Sequence, residues 1–154
     1  MQYLLRFSDD IAKKGFKLPV TVRGAGNSKT GSCLGEGMII STEKMNKIEE
    51  IDEHSHFVRV QAGVTLEKLN AVLAAYNLCI PIKANPKETI GGLISSFPTD
   101  PIKKYGSIYY FVDRLEVVLN TGEIVQTVSY TQNGMKNLVQ KDNAINSIYK
   151  NITH

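Results

Sequence analysis

The sequence predicts an α+β fold, on three observations. Short runs rich in β-branched residues and closed by glycine recur along the chain. A single segment carries a clear helical stripe. Strands and full-length helices do not alternate in any regular way. The 154 residues suit one ordinary domain or two small lobes sharing a surface. Hydrophobic residues make up 42% and charged residues 21%, the balance of a globular chain with a real core.

The elements follow in order. In "FSDDIAKKGFK", Ser8 is placed to cap a short helix with Asp9 and Asp10 in its first turn. "LPVTVRG" reads as a strand stopped by glycine. "RGAGNSKTGSCLGEG" is too polar and glycine-rich for anything but a loop. "MIIS" reads as a buried strand, "TEKMNKIEEID" as a polar turn and edge segment, and "HFVRVQAG" as an alternating strand. The helix is "TLEKLNAVLAAYNL": Thr65 caps it, and Leu66, Leu69, Leu73 and Tyr76 form one core-facing stripe. "CIPI" reads as a short strand. "KANPKETIGGLISSFPTDPIKKYGS" is a long segment punctuated by Gly and Pro, with one helical turn at the glycine pair. "DRLEVVLNTGEIVQTV" reads as a hairpin turning at "NTG". The remainder is a polar, weakly helical tail.

Several chemistries are disfavoured. Cys33 and Cys79 form no CxxC and are expected to be reduced thiols. His54 and His56 flank Ser55 in a polar stretch without a third ligand at a recognisable spacing, so a solvated loop is expected and no metal. No His stands beside a Ser or Cys in a nucleophile motif, and no catalytic residue is assigned. The net charge of +3 permits an anionic ligand, but no dense Lys/Arg stripe points to nucleic acid. No apolar run approaches the ~20 residues of a membrane span. Residues 1–8 make too brief an apolar stretch for a secretory leader, so a cytoplasmic location is expected.

Two glycine segments carry the functional signal. The first, Arg23-Gly24-Ala25-Gly26-Asn27-Ser28-Lys29-Thr30-Gly31, directly follows a strand. Glycine allows close main-chain approach, and successive N–H groups in such a turn make a concave anion nest. Ser28 and Thr30 add hydroxyls, and Arg23 and Lys29 add charge. The physical reading is a pyrophosphate cradle; the plain alternative is a surface loop. A GxGxxG fingerprint fails, because the third glycine comes late and no helix follows. A Walker loop fails, because Ser32 stands where Lys is required. The second segment is Thr89-Ile90-Gly91-Gly92-Leu93-Ile94-Ser95-Ser96; alone it is a weak signal, since a glycine pair more often marks an ordinary turn. One cradle on each of two lobes is what a long dinucleotide lying between them would need.

The segments "PVTVRGAGNSKTG", "GMIISTEKMNKIEEID", "VRVQAGVTLEKLNAVLAAYNL", "TIGGLISS", "KKYGS" and "LEVVLNTGEIVQT" occur in this order. Together they resemble the FAD-binding domain of the vanillyl-alcohol oxidase type, also called the PCMH-type domain, in its glycolate oxidase subunit and D-lactate dehydrogenase branch. The resemblance implies two small α/β subdomains with FAD between them: residues 1–58 as the first, 59–128 as the second, and 129–154 as the tail. It implies that Arg23, Gly24, Ala25, Gly26, Asn27, Ser28 and Gly31 line the pyrophosphate and nearby flavin. Thr89, Ile90, Gly91, Gly92, Ser95 and Ser96 supply the facing wall, with Gly106 in the next turn and Ile124 toward the adenosine end. Tyr109 and Tyr110 read as packing residues. Members with covalent flavin carry His where this chain has Asn27, so FAD is expected to be non-covalent. Ser95-Ser96-Phe97 and Asp100 replace the family's Ala-Thr-Asn stretch and glycine, and Tyr110 falls where Asp is usual.

The family's later glycine-rich segment and substrate-binding cap have no counterpart here. The second subdomain is therefore expected to be incomplete, and the chain to be the N-terminal portion of a flavoenzyme that oxidises a 2-hydroxy acid such as glycolate or D-lactate. Expected partners are FAD and either a second copy or the remainder of the enzyme. Two other readings stay open: a degenerate scaffold or interaction module that binds no flavin, and an FAD domain like that of UDP-N-acetylenolpyruvoylglucosamine reductase.

Overall fold

The computed structural model describes residues 9–10, 12–15, 18–96 and 108–127. Ser8, Phe97, Asp100, Tyr105, Gly106 and the tail lie outside them. The described residues fall into two units, one within 11–108 and the other made of 9–10 with 109–127.

The larger unit opens with β1 (Val20–Arg23), which pairs in parallel with β2 (Met38–Ser41), Val20 opposite Met38 and Arg23 opposite Ser41. Parallel partners need a crossover of a dozen or more residues. Here that crossover is the glycine-rich segment 24–37, which contains no helix. β3 (Ile48–Asp52) and β4 (Phe57–Val60) form an antiparallel pair with a register shift between Ile48 and Glu50. The segment read as a polar edge is thus one strand of a two-stranded sheet.

Asp52 builds the turn between them. Its Oδ1 accepts from the N–H groups of His54 (2.9 Å) and Ser55 (3.3 Å), and its Oδ2 accepts from Ser55 Oγ at 2.6 Å. These bonds favour the charged form and hold the Asp52 carboxyl below its usual range; the Ser55 hydroxyl is the largest cause. His54 and His56 are exposed in this turn, and no group of metal-ligating side chains forms among the described residues.

Helix α1 (Leu66–Leu73) starts where expected. Thr65 has extended backbone and its hydroxyl accepts from the N–H of Lys68. Leu66, Leu69 and Leu73 are buried. Leu69 and Leu73 form the core with Val64, backed by Ile48, Val58, Val60, Leu78, Ile80 and Ile90. Full burial of each such leucine contributes about 2 kcal/mol.

Two expectations are corrected. Tyr76 does not continue the buried stripe. After Leu73 the helix tightens to a 3-10 turn, Ala74–Tyr76, and stops at Asn77, whose φ of 55° is left-handed. The Leu78 N–H closes back on Leu73 O (3.0 Å) and the Asn77 N–H on Ala74 O (3.1 Å), a Schellman termination. Tyr76 is left 38% exposed, in a shallow groove with Ile48, Ile51 and Val72. "CIPI" forms no strand. Pro81 has no N–H, and the Ile80 N–H donates to Asn70 Oδ1 at 2.8 Å instead of to a neighbouring strand.

The second glycine segment forms helix α2 (Ile90–Ser96), with Leu93 buried. In the smaller unit, a 3-10 turn that opens in the larger one (Ile108–Phe111) precedes β5 (Glu116–Val118) and β6 (Ile124–Gln126), the expected hairpin. It turns at Leu119–Gly122, the Gly122 N–H donating to Leu119 O at 2.9 Å and Gly122 taking φ +80°. Among the described residues, no helix is long and apolar enough to cross a membrane.

Candidate functional site

The two glycine segments meet in the larger unit. A Cβ added to Gly24 would run into the Thr89 hydroxyl oxygen, so the root of the first loop lies directly on the start of the second. Any side chain at position 24 would push them apart.

The first loop leaves its donors free. Among the described residues, no acceptor takes the main-chain N–H groups of residues 24–30. Ala25 and Asn27 are exposed, and Gly24, Gly26, Ser28 and Gly31 are half-buried. Arg23 is itself exposed and folds back beneath the loop. A Cβ at Gly26, whose φ is +78°, would come within 2.7 Å of its guanidinium Nη2. Ser28 anchors a cluster of hydroxyls: its Oγ lies 2.7 Å from Ser32 Oγ and 3.1 Å from Thr30 Oγ1, and accepts from the Ser32 N–H at 3.2 Å. Cys33 Sγ donates to Gly26 O at 3.5 Å. The loop therefore offers free N–H groups, hydroxyls and a guanidinium on one stretch of backbone. That chemistry suits a phosphate oxyanion.

The second segment has its amides committed. The Ile90 N–H donates to Val64 O (2.8 Å) and the Gly91 N–H to Ala62 O (2.9 Å). The Gly92 N–H donates to Thr89 Oγ1 at 3.2 Å. Thr89 is buried, and Ser95 Oγ donates to Gly92 O at 3.2 Å while Ser96 is exposed. This segment faces the first loop as a packed helix start, not as a second set of free amides. Ile124 lies on β6 of the other unit and is 44% exposed; Gly106 lies outside the described residues.

Sequence reasoning missed what ties the two segments together. Thr42, just past β2, binds Arg23 O through both its N–H and its hydroxyl. A Cβ at Gly63 would run into the Thr42 carbonyl oxygen, and Ala62, next in line, receives the Gly91 N–H. Thr65 and Thr89 form a bridge pair beside them. The glycine in "VQAGV" was the one available signal of close approach; nothing in the sequence marks Thr42.

A family model described as an FAD binding domain matches residues 11–128. The chain belongs to the FAD-binding domain family. It is 37% identical over 125 residues to a D-lactate dehydrogenase of Anaerostipes hadrus, which covers 77% of this chain and 26% of that protein. It is 30% identical over 139 residues to a D-2-hydroxyglutarate dehydrogenase of Pantoea ananatis, covering 88% of this chain and 14% of that protein. The fold matches that of 6-hydroxy-D-nicotine oxidase from Arthrobacter nicotinovorans with a TM-score of 0.69 at 24% identity, over 80% of this chain and 26% of that one. The chain thus spans about a quarter or less of the length of these relatives. The architecture is the PCMH-type FAD-binding fold, and the cofactor is FAD. Its diphosphate suits the free amides and hydroxyls of the first loop.

Proposed function

We propose that this FAD-binding domain holds its cofactor non-covalently along the Arg23–Gly31 loop, opposite the Thr89–Ser96 segment, as part of a flavin-dependent oxidoreductase acting on a 2-hydroxy acid such as glycolate or D-lactate. The observation that carries the reading is the Gly24–Thr89 junction, which brings a loop of free amides against a packed helix start. The D-lactate and D-2-hydroxyglutarate dehydrogenases among the relatives support the substrate class. Asn27 supports non-covalent binding, since it offers no imidazole for attachment.

When bound, FAD supplies the hydride-accepting chemistry. The chain's own residues bind and orient. The amides of residues 24–30 hold the diphosphate, Arg23 braces the loop and adds positive charge, and Ser28 keeps the hydroxyls of Thr30 and Ser32 gathered. The 129–154 tail, a cytoplasmic location and association with a second copy or the remainder of the enzyme belong to the same proposal.

The test is an FAD titration of the purified chain, followed by the visible flavin spectrum and by thermal shift. A perturbed flavin spectrum and a rise in Tm are expected, without turnover of glycolate or D-lactate by this chain alone. Unchanged flavin absorbance together with an unchanged Tm at high FAD would overturn the reading in favour of a scaffold that keeps the fold and binds no flavin.

A further inference from the structure

We infer that Thr89 is a positioning residue of the cofactor site: a buried spacer that sets the gap between the two glycine segments, not part of the wall that touches the ligand. The inference rests on the FAD reading above.

Three observations carry it. Thr89 is 5% exposed, so little of its side chain can meet a ligand. Its hydroxyl accepts from the Gly92 N–H, holding the first turn of α2. The same oxygen packs against Gly24, where it excludes any Cβ. Thr89 thereby closes a circuit of contacts. From Gly24 the chain steps back to Arg23, whose carbonyl is held twice by Thr42. The Thr42 carbonyl abuts Gly63; neighbouring Ala62 accepts the Gly91 N–H; and Gly91 lies two residues from Thr89. Of these links, the Gly24–Thr89 contact is the one made directly between the two glycine segments. A circuit assembled before the ligand arrives spares the ordering cost of binding.

A ligand that spans both segments depends on their separation, whereas one confined to the first loop does not. FAD and ADP separate the two cases. In the full chain, Thr89→Val removes the hydroxyl and brings a methyl toward Gly24. It is expected to weaken FAD binding about tenfold, while Thr89→Ser stays within about twofold of wild type. ADP binding is expected to fall less than about threefold in Thr89→Val. Gly24→Ala is expected to weaken FAD at least as much as Thr89→Val, and adding Thr89→Ala to it, which deletes the clashing oxygen, is expected to recover part of the loss.

Equal weakening of FAD and ADP by Thr89→Val, wild-type FAD affinity in Thr89→Val, or additive losses in the Gly24/Thr89 pair would each overturn the inference. If Gly24→Ala does not fold, the comparison of FAD with ADP in Thr89→Val decides. If wild type binds no FAD, the cofactor reading itself has failed. The steric coupling is then read from Tm alone, where Gly24→Ala is expected to lower Tm and the double variant to regain part of it; no recovery overturns the spacer role.

Discussion

Thr42 holds the carbonyl oxygen of Arg23 twice, through its main-chain N–H at 2.9 Å and its hydroxyl at 3.3 Å. Thr42 is buried, so its hydroxyl has little access to water as a substitute partner. The bond extends the β1–β2 ladder by one step and clamps the residue from which the first glycine loop departs. Thr42→Val keeps the shape and removes the hydroxyl. It is expected to cost about 1 kcal/mol of stability, seen as a lower urea midpoint at unchanged m-value. FAD affinity is expected to fall with it, because the root of the loop loosens. An unchanged midpoint would mean the main-chain bond alone suffices.

Ser28 is a test of the loop itself. Its hydroxyl gathers Thr30, Ser32 and the Ser32 N–H. Ser28→Ala frees all three. The loop lies on the surface, so Tm is expected to move little. FAD binding, measured by quenching of flavin fluorescence, is expected to weaken about tenfold. A large fall in Tm with unchanged affinity would assign Ser28 to folding instead.

Leu69 is the centre of the core, 1% exposed and packed with Val64 and Leu73. Leu69→Ala leaves a cavity that the short β3–β4 pair cannot close. A loss of about 2–5 kcal/mol is expected. In so small a unit that is a large share of total stability, so guanidinium unfolding followed by circular dichroism is the appropriate measurement.

Asp52 is expected to give the fold a small acid dependence. Its carboxyl is held below the ordinary value by Ser55 and His54, so the folded state binds that proton less readily than the unfolded state. The stability it contributes is complete above the ordinary value near pH 4, and is lost as pH falls through the lower folded value. The Tm difference between wild type and Asp52→Asn is therefore expected to be constant at neutral pH and to shrink in acid. A difference independent of pH down to about pH 2 would show that the charge plays no part.

Much of the architecture was legible in residue order. The β-branched runs ending at Arg23 and around Ile40, the Thr65 cap, the Leu66–Leu69–Leu73 stripe and the "NTG" turn are local signals, and the structure forms each of these elements, although the strand around Ile40 is not buried as expected: Ile40 alone in it is buried and Ile39 is 44% exposed. Tyr76 and "CIPI" depart from expectation for two different reasons, one local and one not. The left-handed Asn77 ended the helix, and the Asn70 side chain captured the N–H that a strand would have used.

The same division holds at the site. By itself, the sequence determined that a strand leads into a glycine-rich polar loop, that a second glycine pair follows Thr89, and that Asn27 offers no histidine for covalent attachment. Tertiary structure decided that the first loop keeps its amides free while the second spends them on Ala62, Val64 and Thr89, and that Gly24 rests on a buried hydroxyl. Composition and spacing report which groups a segment carries. Whether an N–H is available depends on which carbonyl lies within about 3 Å of it, and here those carbonyls belong to residues more than twenty-five positions away in the chain.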